Sequence, residues 1–147
     1  MPYTKVWIHI VFSTEGRKPF LQDSIRQRVF AHIFEYSKSK SIFIDRINGY
    51  TDHVHILISL NREETLSKTI QYLKGESSHW INKNKLIAEK FSWQDEYFAV
   101  SVSESKLNDV RKYIENQVEH HKKKTFEEEY DEFIMKYGFE ISAKAKV

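Results

Sequence analysis

The sequence predicts an α+β protein of ferredoxin-like (RRM-like) fold, an antiparallel sheet with helices packed on one face. Four short segments alternate apolar and polar residues with the two-residue period of a strand. The stretches between and after them space apolar residues three and four apart, the period of a helix. In chain order these segments read β-α-β-β-α-β followed by two more helices, which is the split pattern of that fold.

Residues 4–12 are the first strand, with Val6, Ile8, Ile10 and Phe12 on one face and Lys5, Trp7, His9 and Val11 on the other. A polar turn through Gly16, Arg17, Lys18 and Pro19 leads into a helix over 22–40, carried by Ile25, Val29, Ile33 and Tyr36. Residues 41–48 form the second strand, ending in a turn at Asn48-Gly49, and 53–60 form the third. So short a connection implies antiparallel pairing. The second helix spans 65–83 on Leu66, Ile70, Leu73 and Trp80, with Gly75 as its weak point. A fourth strand at 97–103, a helix from about Ser105 to His121 and a last helix at 126–137 follow. The last helix opens on a capping box, Thr125 with Glu128, and stops at Gly138.

There is no repeat, low-complexity stretch or linker, so the 147 residues are expected to form one domain. Its core runs over about 3–121, with an acidic C-terminal helix at about 125–138. The absence of cysteine excludes disulfides, zinc–thiolate sites and thiol nucleophiles. No run reaches the ~18 apolar residues of a membrane span, and the first residues lack an apolar signal core. A cytoplasmic protein without membrane contact is the expectation. Net charge is only +2, but it is unevenly spread. Residues 1–125 hold 20 Lys and Arg against 15 Asp and Glu, and residues 126–147 hold 3 against 6. The basic body suits phosphate contacts, and the acidic end reads as a solvated helix face.

The chemistry-bearing residues fall in two places. His53 and His55 lie in the third strand, where alternation puts His53, His55, Leu57 and Ser59 on one face. Val54, Ile56, Ile58 and Leu60 take the helix-facing side. The imidazoles are then ~7 Å apart along the strand, a spacing from which two rings can converge on one divalent ion. Two histidines on a strand also need no metal. Asp52 either orients an imidazole or caps a turn. In the helix after the fourth strand, Leu107, Val110, Ile114 and Val118 make an apolar stripe. Tyr113 and Gln117, four apart, border it and project from one face. A tyrosine can attack a phosphodiester to form a phosphotyrosine. A cation on the phosphate supports that step, and a glutamine oxygen can ligate the cation. A half-buried tyrosine beside a solvated glutamine is the plainer alternative.

Taken together the motifs are specific. They are His9-Ile-Val-Phe-Ser-Thr14 with Arg17-Lys18-Pro19, Asp52-His53-Val54-His55-Ile56-Leu57, and Tyr72-Leu73-Lys74-Gly75 with Ser77-Ser78. Trp93-Gln94 before Tyr97-Phe98-Ala99-Val100, and Tyr113-Ile114-Glu115-Asn116-Gln117, complete them. In this order, over roughly residues 5–120, they resemble the single-tyrosine HUH transposases of small bacterial insertion sequences. REP-associated tyrosine transposases are relatives of these enzymes. The resemblance implies that His53, His55 and Gln117 ligate Mg²⁺ or Mn²⁺ and that Tyr113 is the nucleophile. The substrate would be single-stranded DNA bearing hairpins, cleaved through a 5′-phosphotyrosine and rejoined. It further implies a homodimer, in which the tyrosine helix acts on its own subunit or its partner, in a bacterial or archaeal cytoplasm. A domesticated or inactive relative that binds DNA hairpins is the alternative. Arg17, Lys18 and Lys74 are candidate phosphate contacts. Lys122 and Lys123, in the basic run after His120-His121, either track a DNA backbone or belong to a solvated linker. Trp7, Trp80 and Trp93 either stack on unpaired bases or fill the core.

Overall fold

The first strand, β1 (Trp7–Ser13), is buried along its whole length, because both faces of its sheet are covered. The computed structural model describes residues 2–137. They divide into two compact units, the first ending at Gln117 and the second starting at Val118. In the first unit β1 lies inside a four-stranded sheet of order β2-β3-β1-β4. Here β2 is Phe43–Gly49, β3 is His53–Ser59 and β4 is Phe98–Val102. All the pairings are antiparallel. Helix α1 (Asp23–Ser39) joins β1 to β2, and α2 (Leu66–Lys83) joins β3 to β4. The order is therefore the predicted β-α-β-β-α-β. α2 passes Gly75 unbroken and is capped by Thr65, whose hydroxyl oxygen accepts the Lys68 N–H (3.1 Å).

The two faces of the sheet divide as the alternation requires. Ile8, Ile10 and Phe12 of β1 and Val54, Ile56 and Ile58 of β3 form one core with Val29, Phe30 and Ile33 of α1 and Ile70, Leu73 and Ile81 of α2. Burying one such isoleucine stabilises the fold by roughly 1.5–3 kcal/mol. On the opposite face Trp7 and Leu57 pack against Leu107 and Ile114 of α3 (Leu107–Glu115). That face carries the histidines, and α3 roofs it.

Three sequence expectations are corrected. The second strand runs one residue past its expected end at 48, with Asn48 paired to His55 and Gly49 to Val54. The chain reverses one residue later, where the Tyr50 N–H donates to the His53 carbonyl (3.0 Å). Glycine at 49 answers a close approach: a Cβ there would lie 2.1 Å from the His53 carbonyl oxygen. The helix expected over 105–121 is broken at Asn116, with α4 (Gln117–His120) following α3. The cause sits on β2. The Asn48 side-chain amide donates to the carbonyls of Ile114 (3.0 Å) and Glu115 (3.1 Å), which a continuing helix would have used itself. With the register broken, Val118 leaves the apolar stripe and is 37% exposed.

The third correction lies in the second unit, where α5 spans Phe126–Tyr137. Its capping box forms as expected: the Thr125 N–H donates to Glu128 Oε1 (2.8 Å) and the Glu128 N–H donates to the Thr125 hydroxyl (3.1 Å). The Thr125 N–H and, second, the Thr125 hydroxyl (3.2 Å) donate to the Glu128 carboxylate and hold it below the usual glutamate range. The expected stop at Gly138 lies outside the described residues. The acidic helix is not wholly solvated. Glu127, Glu128, Asp131 and Glu132 are exposed, but Glu129 is buried on the same face as Phe126. Among the described residues no helix is long and apolar enough to cross a membrane.

Candidate metal and tyrosine site

Strand register builds the first half of the site. His53 pairs with Ser13 and His55 with Val11 across β1 and β3, so both rings leave the sheet on the α3 side. The rings lean together, with centroids 5.1 Å apart and planes at 75°. One ring nitrogen of each lies within 4.8 Å of the other's. Each imidazole is oriented by a further residue. Asp52 Oδ1 lies 2.8 Å from His53 Nδ1, so the carboxylate accepts that N–H and Nε2 carries the lone pair. Of the two roles open to Asp52, orienting the ring is the one observed. His55 Nδ1 lies 2.9 Å from His9 Nε2. His9 is itself buried, one diagonal step along β1.

The helix supplies the second half. The Gln117 amide nitrogen donates to the Tyr113 carbonyl (3.3 Å), which turns Oε1 toward His53 Nε2 at 3.0 Å. With Nδ1–H given to Asp52, a neutral His53 would set one acceptor against another there. A proton or a cation between them removes the conflict. The spacing fits a cation, since neighbouring ligands of an octahedral Mg²⁺ at ~2.1 Å stand ~3.0 Å apart. Tyr113 is half-buried above the pair, its ring 5.5 Å from His55 and 6.3 Å from His9. The structure thus brings His53, His55, Gln117 and Tyr113 together within one chain and one unit.

Three polar anchors from β2 hold α3 in this position. The bulge between Ile44 and Arg46 leaves the Asp45 carboxylate to accept a forked pair of bonds from Arg111, Nε (2.8 Å) and Nη2 (2.9 Å). That pairing raises the Arg111 pKa above its ordinary value. Arg46 Nε donates to Glu115 Oε2 (2.7 Å), and Asn48 holds the two carbonyls at the helix end.

The profile of the IS200-like transposases matches residues 2–117, the same stretch that carries the sheet, the histidines and the tyrosine helix. The chain belongs to the IS200-like transposase family. No curated protein sequence matches it, and two solved structures resemble it at low identity. One is a provisionally named transposase from Deinococcus radiodurans, with 20% identity and a TM-score of 0.65 over 79% of this chain and 93% of that one. Another is a REP-associated tyrosine transposase bound to a REP hairpin, with 14% identity and a TM-score of 0.62 over 82% of this chain and 72% of that one. At these identities the likeness is one of fold.

Within this IS200-like transposase the other sequence candidates scatter. Lys18 is exposed and lies 3.6 Å from Glu89. Arg17 sits in a short 3-10 turn at φ 55°. Lys74 donates to the carbonyls of Asp95 (3.0 Å) and Glu96 (3.4 Å), and partial burial pushes its pKa down against the pull of Asp95. Lys122 pairs with Glu119 (2.8 Å), and Lys123 is exposed in the turn after α4. The tryptophans belong to the structure: Trp93 is buried and donates to the Ser77 hydroxyl (2.9 Å). Trp7 is buried against α3, and Trp80 stacks on His32 at 3.9 Å. Sequence reading missed the contribution of His9. The signal was present, since His9 shares the strand face that the histidine pair occupies and opens the first motif.

Proposed function

We propose that this transposase family member cuts and rejoins hairpin-bearing single-stranded DNA, with Tyr113 as nucleophile and Mg²⁺ or Mn²⁺ held by His53, His55 and Gln117. The observation that carries the reading is the 3.0 Å approach of Gln117 Oε1 to His53 Nε2 beneath Tyr113. When bound, the ion supplies Lewis-acid stabilisation of negative charge on the phosphate oxygens. Asp52 accepts the His53 Nδ1–H and His9 Nε2 meets His55 Nδ1, which leaves Nε2 of each imidazole to face the ion. The Tyr113 oxygen forms a bond to phosphorus, and the bond from phosphorus to the 3′ oxygen breaks. The departing oxygen takes up a proton and becomes a 3′-hydroxyl. The product is a 5′-phosphotyrosine, and attack on it by another 3′-hydroxyl rejoins the strand and returns the phenol. Hairpin DNA is the substrate class suggested by the fold-mate that holds a REP hairpin. All four residues lie on one chain, so each copy carries a whole site. In a homodimer two copies would serve two element ends.

The test incubates the chain with end-labelled, hairpin-containing single strands and Mn²⁺, then looks for a protein–DNA band in denaturing electrophoresis. Wild type is expected to give the band only with metal, and Tyr113→Phe and His53→Ala/His55→Ala to give none. A band of equal strength from Tyr113→Phe contradicts the assignment. Mixing the two inactive variants is expected to restore nothing, and rescue would mean that the tyrosine acts across subunits. Hairpin binding without any adduct in the wild type would favour a DNA-binding relative that has lost catalysis.

A further inference from the structure

In the second unit two histidines meet the buried acid of α5. His121 Nδ1 lies 2.6 Å from the Lys124 carbonyl oxygen, so that nitrogen carries the hydrogen and donates it. His121 Nε2 then faces Glu129 Oε1 at 3.1 Å, and His120 Nε2 lies 3.4 Å from the other oxygen, Oε2. In a neutral His121 a lone pair would confront a carboxylate lone pair. A proton shared between ring and carboxyl, or a metal ion, removes that conflict.

Geometry favours the ion. One donor atom from each of the three residues lies within 4.8 Å of the other two. Ligands at ~2.1 Å from one ion stand ~3.0 Å apart at right angles and ~3.4 Å apart at the tetrahedral angle. The Glu129 and His121 side chains are 1% and 2% exposed, and a carboxyl that deep is either matched by positive charge or held protonated. The Lys124 carbonyl on Nδ1 is the kind of outer contact that fixes a ligating imidazole.

We propose that His120, His121 and Glu129 form a divalent-cation site in addition to the one at His53 and His55, clamping the turn at 120–124 to the start of α5. Two imidazoles and one carboxylate, with water in the fourth position, suit Zn²⁺. The proposal does not depend on the transposase chemistry.

Zn²⁺ titrated calorimetrically into the full chain tests it. Wild type is expected to take two ions. His53→Ala/His55→Ala is expected to keep one, and adding Glu129→Gln or His121→Ala to that variant to remove it. Co²⁺ provides a second readout, an intense four-coordinate visible spectrum in the His53→Ala/His55→Ala chain that Glu129→Gln abolishes while far-ultraviolet dichroism shows the fold intact. No ion in the His53→Ala/His55→Ala chain, or one that survives both Glu129→Gln and His121→Ala, overturns the site and leaves a protonated histidine–glutamate pair. If His53→Ala/His55→Ala costs no ion, the proposed catalytic site fails while this one stands.

Discussion

His9 and Asp52 back the two strand histidines in unlike ways. Asp52 sets a carboxylate behind His53, and His9 sets a second imidazole behind His55. Either partner orients a ring, and losing such a contact typically weakens metal binding by about 10–100-fold. His9→Phe is therefore expected to lower Mn²⁺ affinity by about that factor in calorimetry. His9→Gln, whose amide oxygen can accept where Nε2 did, is expected to keep most of it. Unchanged affinity in His9→Phe would reduce His9 to a packing residue. Alternation put His53 and His55 on one strand face and helical spacing put Tyr113 and Gln117 on one helix face, but only the family resemblance joined them into one site. His9 escaped because it stands opposite Leu57, not His55. Its contact is diagonal and depends on register, which no single strand reveals.

Between elements, the decisive contacts run from β2 to α3. Asp45, Arg46 and Asn48 tie down a helix whose apolar face is short, only Leu107 and Ile114 being fully buried. None of the three was legible, because each depends on a bulge or a tertiary bond. The break at Asn116 escaped for the same reason: helical period continues in the sequence, while the competing donor is 66 residues away. The β2–β3 hairpin matters equally, since it aims His53. Gly49→Ala would drive a Cβ into the His53 carbonyl. It is expected to destabilise the chain by roughly 2–4 kcal/mol and to weaken Mn²⁺ binding in whatever fraction stays folded. Denaturant midpoints and calorimetry measure the two effects, and a wild-type midpoint would show that the hairpin relaxes freely.

Across the whole molecule, the strand and helix order was readable because each element's period agrees with its burial. The acidic C-terminal segment was misread at one position. Charge patterning treats every carboxylate as solvated, and it could not separate buried Glu129 from its exposed neighbours. The central claim is that one chain unites His53, His55, Gln117 and Tyr113 into a strand-cutting site. Peptide mass mapping of the Mn²⁺-dependent protein–DNA adduct, after nuclease and protease digestion, tests it most directly. Of the eight tyrosines in the chain, only Tyr113 is expected to carry a nucleotide 5′-phosphate. An adduct on any other residue, or cleavage of the DNA with none on the protein, would contradict it.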